Sequence, residues 1–474
     1  MTYRDQSEKI IIVGAGCCGL ATALSLLEQG YQDVHIFDKR DYLTKKYSYF
    51  DGCDSPSSDM NKIFRASYGE ETHYQRMATA SREKMLMWNE MIRKEGFEGG
   101  EPLYFNTGNI HLTDQDELPL FEQSTIKWMG PKKAICISES DALERAVSAG
   151  IDPCAIDPFA AKERGVHLQG VLDTAGGTIM ADKACRWVLN LCQRAGGPHF
   201  TTHFGPELGE VDHILEEYNE ATGRKKCVGI KTKDEKLHFA STTICACGPW
   251  LSEVVPETQE RVEATAGTVA LMRITDPKAL AKYDQRSFPT WTYKMRDGAI
   301  GGLYGFPVRN GYLKIGFRGL KWTNPQPGIN SKIKTKWSEP SETNVPVFGL
   351  NMIKKFVRDN IPEVQKIDLT RMCWYGDSED NDFLISYSPY HEKDSLFVIG
   401  GDSGHAFMMI GSIGSVITDI INNCGDKFLM NLFSWERKRD RKNVINMGNA
   451  DPRALQNQKM ATPRDWYIYG EPKL

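Results

Sequence analysis

Six residues near the start of the chain, Gly14-Ala15-Gly16-Cys17-Cys18-Gly19, have the types and spacing to cradle a pyrophosphate. Gly14 permits a tight turn, Gly16 lets backbone approach the phosphates, and Gly19 lets the following helix lie close to the preceding strand. Phosphate oxygens then meet free N–H groups and the positive end of a helix dipole. The elements that must position this loop flank it. Ile10-Ile11-Ile12-Val13 is a β-branched run that predicts a strand, and Leu20, Ala23, Leu24 and Leu27 recur at helical spacing. A second short strand, Val34-His35-Ile36-Phe37, ends on Asp38, an acid at the distance that suits a ribose hydroxyl. The glycine spacing alone is a weak signal. Strand, glycines, helix, strand and acid in this order predict a bound dinucleotide, and their position at the start predicts an FAD protein that opens with its cofactor domain.

Composition narrows the remaining classes. A chain of 474 residues suits two or three domain-sized units, and 41% hydrophobic with 25% charged residues is the balance of an ordinary soluble globular protein. A net charge of −4 gives no reason to expect nucleic acid or an anionic membrane as partner. No stretch reads as a transmembrane span, and the polar run Met1 to Lys9 is not a secretory signal. The twelve cysteines are therefore expected as reduced thiols. Cys245 and Cys247 have the wrong spacing for a redox pair, no second pair completes a zinc site, and no metal is expected. The terminal Pro472-Lys473-Leu474 has the small-basic-leucine form of a peroxisomal address, departing from Ser-Lys-Leu at its first position; the alternative is the cytoplasm.

Along the chain, Ser81 to Lys94 carries Met85, Leu86, Trp88, Met91 and Ile92 at helical spacing, with Ser81 as the expected N-cap. Residues 100–135 alternate and predict strands of a second, antiparallel unit. A helix is expected from Gly177 to Ala195, with Asp182 near its start and Gly196-Gly197-Pro198 at its end. Two further apolar strands end in glycine turns: Thr243 to Cys247 before Gly248-Pro249-Trp250, and Leu396 to Ile399 before Gly400-Gly401-Asp402-Ser403-Gly404-His405. Strands so far apart predict one parallel sheet assembled from separate segments. The expected class is α/β plus antiparallel β: a discontinuous Rossmann-type domain (1–90, 161–255, 361–440) interleaved with a mainly antiparallel substrate domain (91–160, 256–360) and a tail over 441–474. Residues 322–345, rich in Pro, Asn, Ser and Lys, read as an exposed insertion.

Four stretches together resemble the sarcosine oxidase and fructosyl amino acid oxidase (amadoriase) flavoenzymes, the amadoriase branch most nearly. They are the fingerprint at 10–38; Asp59-Met60-Asn61-Lys62-Ile63-Phe64-Arg65-Ala66-Ser67-Tyr68-Gly69; Tyr304-Gly305-Phe306-Pro307 with Leu313-Lys314-Ile315-Gly316-Phe317; and Arg371-Met372-Cys373-Trp374-Tyr375 with Asp382 to Ile385 and Gly401 to Phe407. The resemblance covers about residues 8–425. It implies covalent FAD, joined to Cys373 by a thioether. It implies that Lys314 and Lys62 sit beside the flavin, Lys314 stabilising the charge that develops as oxygen is reduced. Arg65 is implied to pair with a substrate carboxylate. His405 joins these as a catalytic candidate, and Tyr304, Arg318 and Met408 join Arg65 around the substrate. Val13, Gly14, Gly16, Cys18, Gly19, Asp38, Lys39, Ser58, Lys62, Gly248, Trp250, Asp402, Gly404 and Met408 are the implied cofactor contacts.

One position departs from the family. Its members usually carry a lysine shortly after the Gly-His-x-Phe turn, where this chain has Met408-Met409. The expected pocket is therefore more apolar, with a bulkier N-alkylated amine favoured over sarcosine and simple fructosyl amino acids. The expected reaction is oxidation of a secondary or N-methylated amine at the carbon next to nitrogen, with O₂ reduced to H₂O₂, by a monomer. The alternatives are oxidative cyclisation of the same iminium in fungal alkaloid biosynthesis, a dehydrogenase that passes electrons to a partner, and a flavin-binding sensor without chemistry.

Overall fold

A computed structural model describes residues 5–51, 55–295, 302–334, 345–438 and 442–470. The expected strand Ile10–Val13 is paired on both sides. It runs parallel to Val34–Asp38 and to Thr242–Cys245, and Thr242–Cys245 pairs in turn with Leu396–Gly400. Phe200–Phe204 extends one edge and Leu384–Tyr387, antiparallel, the other, giving a six-stranded sheet. Three apolar strands more than 150 residues apart thus meet in one sheet because each is buried on both faces and has only its neighbours to satisfy its backbone.

Helix Cys17–Glu28 packs on this sheet between Ala181–Gly196 and Ile413–Ile421. A side chain at Gly414 would strike the Ala21 carbonyl, so glycine sets the closeness of that helix pair. The glycine loop is held the same way: a Cβ at Gly19 would overlap the Gly14 carbonyl.

An eight-stranded sheet forms the second layer, in the order Leu369–Ser378, Val262–Arg273, Tyr312–Trp322, Gly302–Gly305, Thr290–Lys294, Asn109–Thr113, Gln169–Asp173, Ala134–Cys136. All its pairings are antiparallel except Thr290–Lys294 with Asn109–Thr113. Its apolar face packs against helix Val347–Asn360 around Trp291, Trp322 and Trp374, each at most 1% exposed. Fully burying rings of this size contributes roughly 2–3 kcal/mol apiece.

Several expectations need correction. The strands Gln169–Asp173 and Leu369–Ser378 belong to this eight-stranded sheet, although their segments were expected in the cofactor domain. The two layers exchange single strands, and block boundaries drawn on composition cannot follow that. The helix expected at 81–94 begins nine residues earlier and spans Thr72–Glu95. Ser81 is fully buried in its middle, donating to the Met408 carbonyl at 2.7 Å rather than capping an end. Gly177–Ile179 is a strand, and the helix starts at Ala181. Within 100–135, Tyr104–Phe105 pairs with Gly177–Ile179, whose other edge pairs with Lys62–Phe64, in a small separate sheet, and Leu120–Met129 is helical. The described part of the 322–345 segment is only partly exposed: Gln326, Pro327, Gly328 and Lys332 face out, whereas Trp322, Thr323, Asn324, Ser331 and Ile333 are buried, and the C-terminal segment docks at Thr323, Pro346 and Lys366. Pro472-Lys473-Leu474 lies outside the described residues.

Candidate functional site

Alternation along three adjacent strands builds the site. On Leu369–Ser378, Met372 and Trp374 point into the second core, so Arg371, Cys373 and Tyr375 share the opposite face. On Tyr312–Trp322, Leu313, Ile315 and Phe317 are in that core, which puts Lys314, Gly316 and Arg318 on the site face. Lys314 is thus not a solvated strand lysine: it is 2% exposed. Glycines make room for the aromatic side chains that lie across the sheet. A Cβ at Gly316 would run into the Tyr304 ring, and one at Gly267 would come within 2.8 Å of the Tyr375 hydroxyl.

Residues 55–65 cross this face as a strap. Asp59 is its hub, accepting from Lys62 Nζ at 2.8 Å and from Lys314 Nζ at 2.7 Å. Lys314 also donates to the Asn61 carbonyl at 2.7 Å and lies 4.2 Å above the Phe306 ring. Arg371 donates to the Ser58 carbonyl at 3.1 Å and lies over Tyr49, fixing the strap from below. Burial would raise the Asp59 carboxyl, but the two ammonium groups outweigh it and hold the acid well below the carboxylate range. Lys62 shows the converse: burial pulls it down, and Asp59 and Cys373 more than compensate, raising it. For Lys314 burial wins, and its pKa falls from 10.5 to about 8. Cys373 Sγ is half-buried, 3.8 Å from Lys62 Nζ.

The third wall is the turn 401–408. His405 Nε2 sits 3.1 Å from the Asn381 carbonyl and Nδ1 sits 3.1 Å from the Tyr68 hydroxyl. Burial, together with Arg65, Arg318 and Lys321, pushes its pKa down to about 3. A neutral ring that donates from Nε2 must accept at Nδ1, so the Tyr68 hydroxyl donates to it. His405 therefore positions Tyr68. Arg65 stacks on Tyr68, its guanidinium 4.2 Å from the ring centre, and bonds the Ser67 carbonyl. Asp173, wholly buried, accepts from the Ala66 and Ser67 amides at 2.6 and 2.9 Å and fixes the backbone that carries Arg65.

A cavity of about 370 Å³ runs from the glycine loop to Lys62, Tyr375, Asp402 and Gly404, at the edge of this cluster. Of the expected cofactor contacts, Val13, Gly14, Gly16, Cys18, Asp38, Lys39, Lys62, Gly248, Trp250, Asp402 and Gly404 line it. Asp38 accepts from the Ala15 and Arg40 amides at 2.8 and 2.9 Å, and burial raises its pKa. Three expected contacts are placed otherwise. Gly19 acts behind the wall through helix packing. Ser58 is fully buried under Arg371, and its neighbour Ser57 is the serine on the wall, accepting from the Cys17 amide at 2.9 Å. Met408 is 5% exposed, with its sulfur 3.3 Å from the Tyr68 hydroxyl, and Met409 is wholly in the core, so neither makes the cavity apolar.

The sequence reading gave no role to Asp59, Asn61, Tyr68 or Tyr375. Asp59 was signalled by two lysines directed to one buried place, which require a counter-charge. The Asn61 side chain, 1% exposed, has neither its amide nor its carbonyl paired among the described residues, leaving donors and an acceptor for a bound polar group. No group of metal-ligating residues occurs among the described residues, whose cysteines are all free.

Comparison with known proteins agrees with this geometry. The chain is 24% identical over 428 residues to L-saccharopine oxidase of Schizosaccharomyces pombe, covering 88% of this chain and 90% of that one. It is 22% identical over 379 residues to N-methyl-L-tryptophan oxidase of Escherichia coli, covering 79% and 87%. A modified fructosyl peptide oxidase from Aspergillus nidulans superposes with a TM-score of 0.75 at 21% identity, over 96% of this chain and 99% of that one. Amadoriase II of Aspergillus fumigatus gives 0.73 at 19% identity, over 98% and 99%. The model of the DAO family, the FAD dependent oxidoreductases, matches residues 9–420, a span that holds both large sheets and every residue of the site, and the chain belongs to that family.

Proposed function

We propose that this FAD-dependent amine oxidase acts on a secondary amine with a carboxylate near the nitrogen, holding its flavin covalently at Cys373 and returning electrons to oxygen. The observation that carries the reading is the buried Lys314–Asp59–Lys62 cluster, with Cys373 Sγ 3.8 Å from Lys62. Bound FAD supplies the acceptor for the hydride taken from the carbon next to nitrogen. The protein does the rest. The glycine loop and Asp38 hold the adenosine half, and the Lys62 cation beside Cys373 favours the thiolate that attachment requires. Arg65, stacked on Tyr68, takes the substrate carboxylate as a planar fork. The amine must arrive as the free base, because an ammonium has no lone pair to expel the hydride. Lys314 places a cation in a dry site, where it stabilises negative charge far better than in water.

No helix among the described residues is long and apolar enough to cross a membrane. We further propose that the chain acts as a monomer and that the terminal tripeptide is a peroxisomal address, a location suited to a peroxide-forming enzyme. The function is tested by offering the purified protein N-alkyl amino acids and measuring peroxide. Peroxide formed in step with amine loss supports the reading. Turnover only with an artificial dye, and none with oxygen, overturns it.

A further inference from the structure

Glu122 is 3% exposed, a rare place for a carboxylate unless partners hold it there. It stands in the first turn of helix Leu120–Met129, with Lys294 Nζ 2.9 Å from each of its oxygens. That pair alone satisfies the charge. Glu122 Oε1 nevertheless also lies 3.6 Å from His111 Nδ1, on the strand Asn109–Thr113 that pairs with the Lys294 strand. The far side of the His111 ring fixes its proton. Asn109 Nδ2, 2.9 Å from His111 Nε2, can only donate, so Nε2 accepts and Nδ1 carries the hydrogen, towards Glu122. The Ser67 hydroxyl, 3.1 Å from the same Nε2, is then a donor as well.

Ser67 is wholly buried, and all three of its polar groups are taken. Its hydroxyl bonds His111, its amide bonds Asp173 at 2.9 Å, and its carbonyl accepts from Arg65. The group that Arg65 grips is therefore tied to Glu122 through one imidazole. The Glu122 helix touches the same segment twice more. Its Phe121 ring lies 5.8 Å from the Arg65 guanidinium, and a Cβ on Gly69 would come within 3.0 Å of Ser124 Oγ.

We infer that Glu122 and His111 are positioning residues for Arg65, holding Ser67 so that the guanidinium meets the substrate carboxylate with its plane already set. The inference rests on the role proposed for Arg65 and adds the groups that aim it. A planar fork binds in two places only when its plane is right, and ordering a free side chain at binding weakens affinity by up to about tenfold. Stability gives no reason for this arrangement, because apolar side chains in place of a buried ion pair often hold a fold as well.

Pentanoate and its neutral counterpart pentanamide are titrated into the flavin-loaded enzyme and followed by flavin absorbance. The wild type is expected to prefer pentanoate at least about tenfold, the effect of a charge-assisted pair, and Arg65→Gln to erase the preference. His111→Leu is expected to lose most of it, whereas His111→Gln, whose amide oxygen can accept in place of Nε2, keeps most of it. Ser67→Ala removes the linking hydroxyl alone, is expected to match His111→Leu, and serves where the leucine variant does not fold. In turnover of an N-alkyl amino acid the same variants are expected to raise KM and leave kcat nearly unchanged. A preference that survives Arg65→Gln overturns the role of Arg65 and this proposal with it. A preference lost in Arg65→Gln but intact in both His111→Leu and Ser67→Ala, with only the Tm lowered, overturns the positioning role alone.

Discussion

At the residue scale the site depends on a few polar groups removed from water and paired with one another. Cys373 was one of twelve cysteines and could not be singled out by its type. Its neighbourhood distinguishes it: Lys62 3.8 Å away, Tyr304 and Tyr375 beside it, and a strand face shared with Arg371. If the flavin is attached there, acid denaturation and filtration of the wild type leave the yellow colour with the protein. Cys373→Ala is expected to release it into the filtrate, with far-ultraviolet circular dichroism unchanged because Cys373 is only half-buried. Colour retained by the alanine variant would place the attachment elsewhere. Lys314 was named in the sequence through a resemblance, not through its own pattern. Leu313 and Ile315 showed only that it faces away from them, and whether that face met water or Asp59 depended on a strap some 255 positions away.

At the element scale, legibility followed locality. The strands Ile10–Val13 and Leu396–Gly400 read correctly because unbroken apolar runs ending in glycine turns carry their own signal, and Val34–Asp38 because a short β-branched and aromatic run follows the glycine loop and helix and ends on an acid. The helix Thr72–Glu95 was cut short because its first turns mix buried Tyr74, Met77 and Ala78 with His73, Gln75 and Arg76, and a serine in its middle looks like a cap. Ser81 instead ties this helix to the turn that carries His405. Its hydroxyl donates to the Met408 carbonyl at 2.7 Å and accepts from the Gly411 amide at 3.0 Å. Ser81→Ala leaves both groups buried and unpaired, a cost of about 1–3 kcal/mol. A lowered Tm, together with a raised KM for the amine, is the expected result. Unchanged stability would mean that the turn is held by its own backbone. The strand exchange between layers was illegible for a different reason: the partner of Leu369–Ser378 is Val262–Arg273, and no local pattern names a partner a hundred residues away.

At the scale of the whole molecule, buried contacts join the strap to the eight-stranded sheet, Arg371 to the Ser58 carbonyl and Asp59 to Lys314, the latter pair 2.7 Å apart. The arrangement sets both the charge and its limit. Burial brings the Lys314 pKa to about 8, so the cation is present at neutral pH and is lost as pH rises through that value. A buried cation that makes the flavoprotein an oxidase acts on reoxidation by oxygen rather than on reduction by amine, so the two half-reactions are followed separately. Flavin reduced anaerobically by amine is mixed with aerated buffer and its reoxidation followed against pH, for wild type and Lys314→Met. The wild type is expected to reoxidise quickly and to slow above about pH 8. The variant is expected to be slower by about 10², near 2.7 kcal/mol of lost electrostatic stabilisation, with no pH dependence in that range and a smaller change in reduction by amine. Equal slowing of both half-reactions, or reoxidation at the wild-type rate, would contradict that role of Lys314.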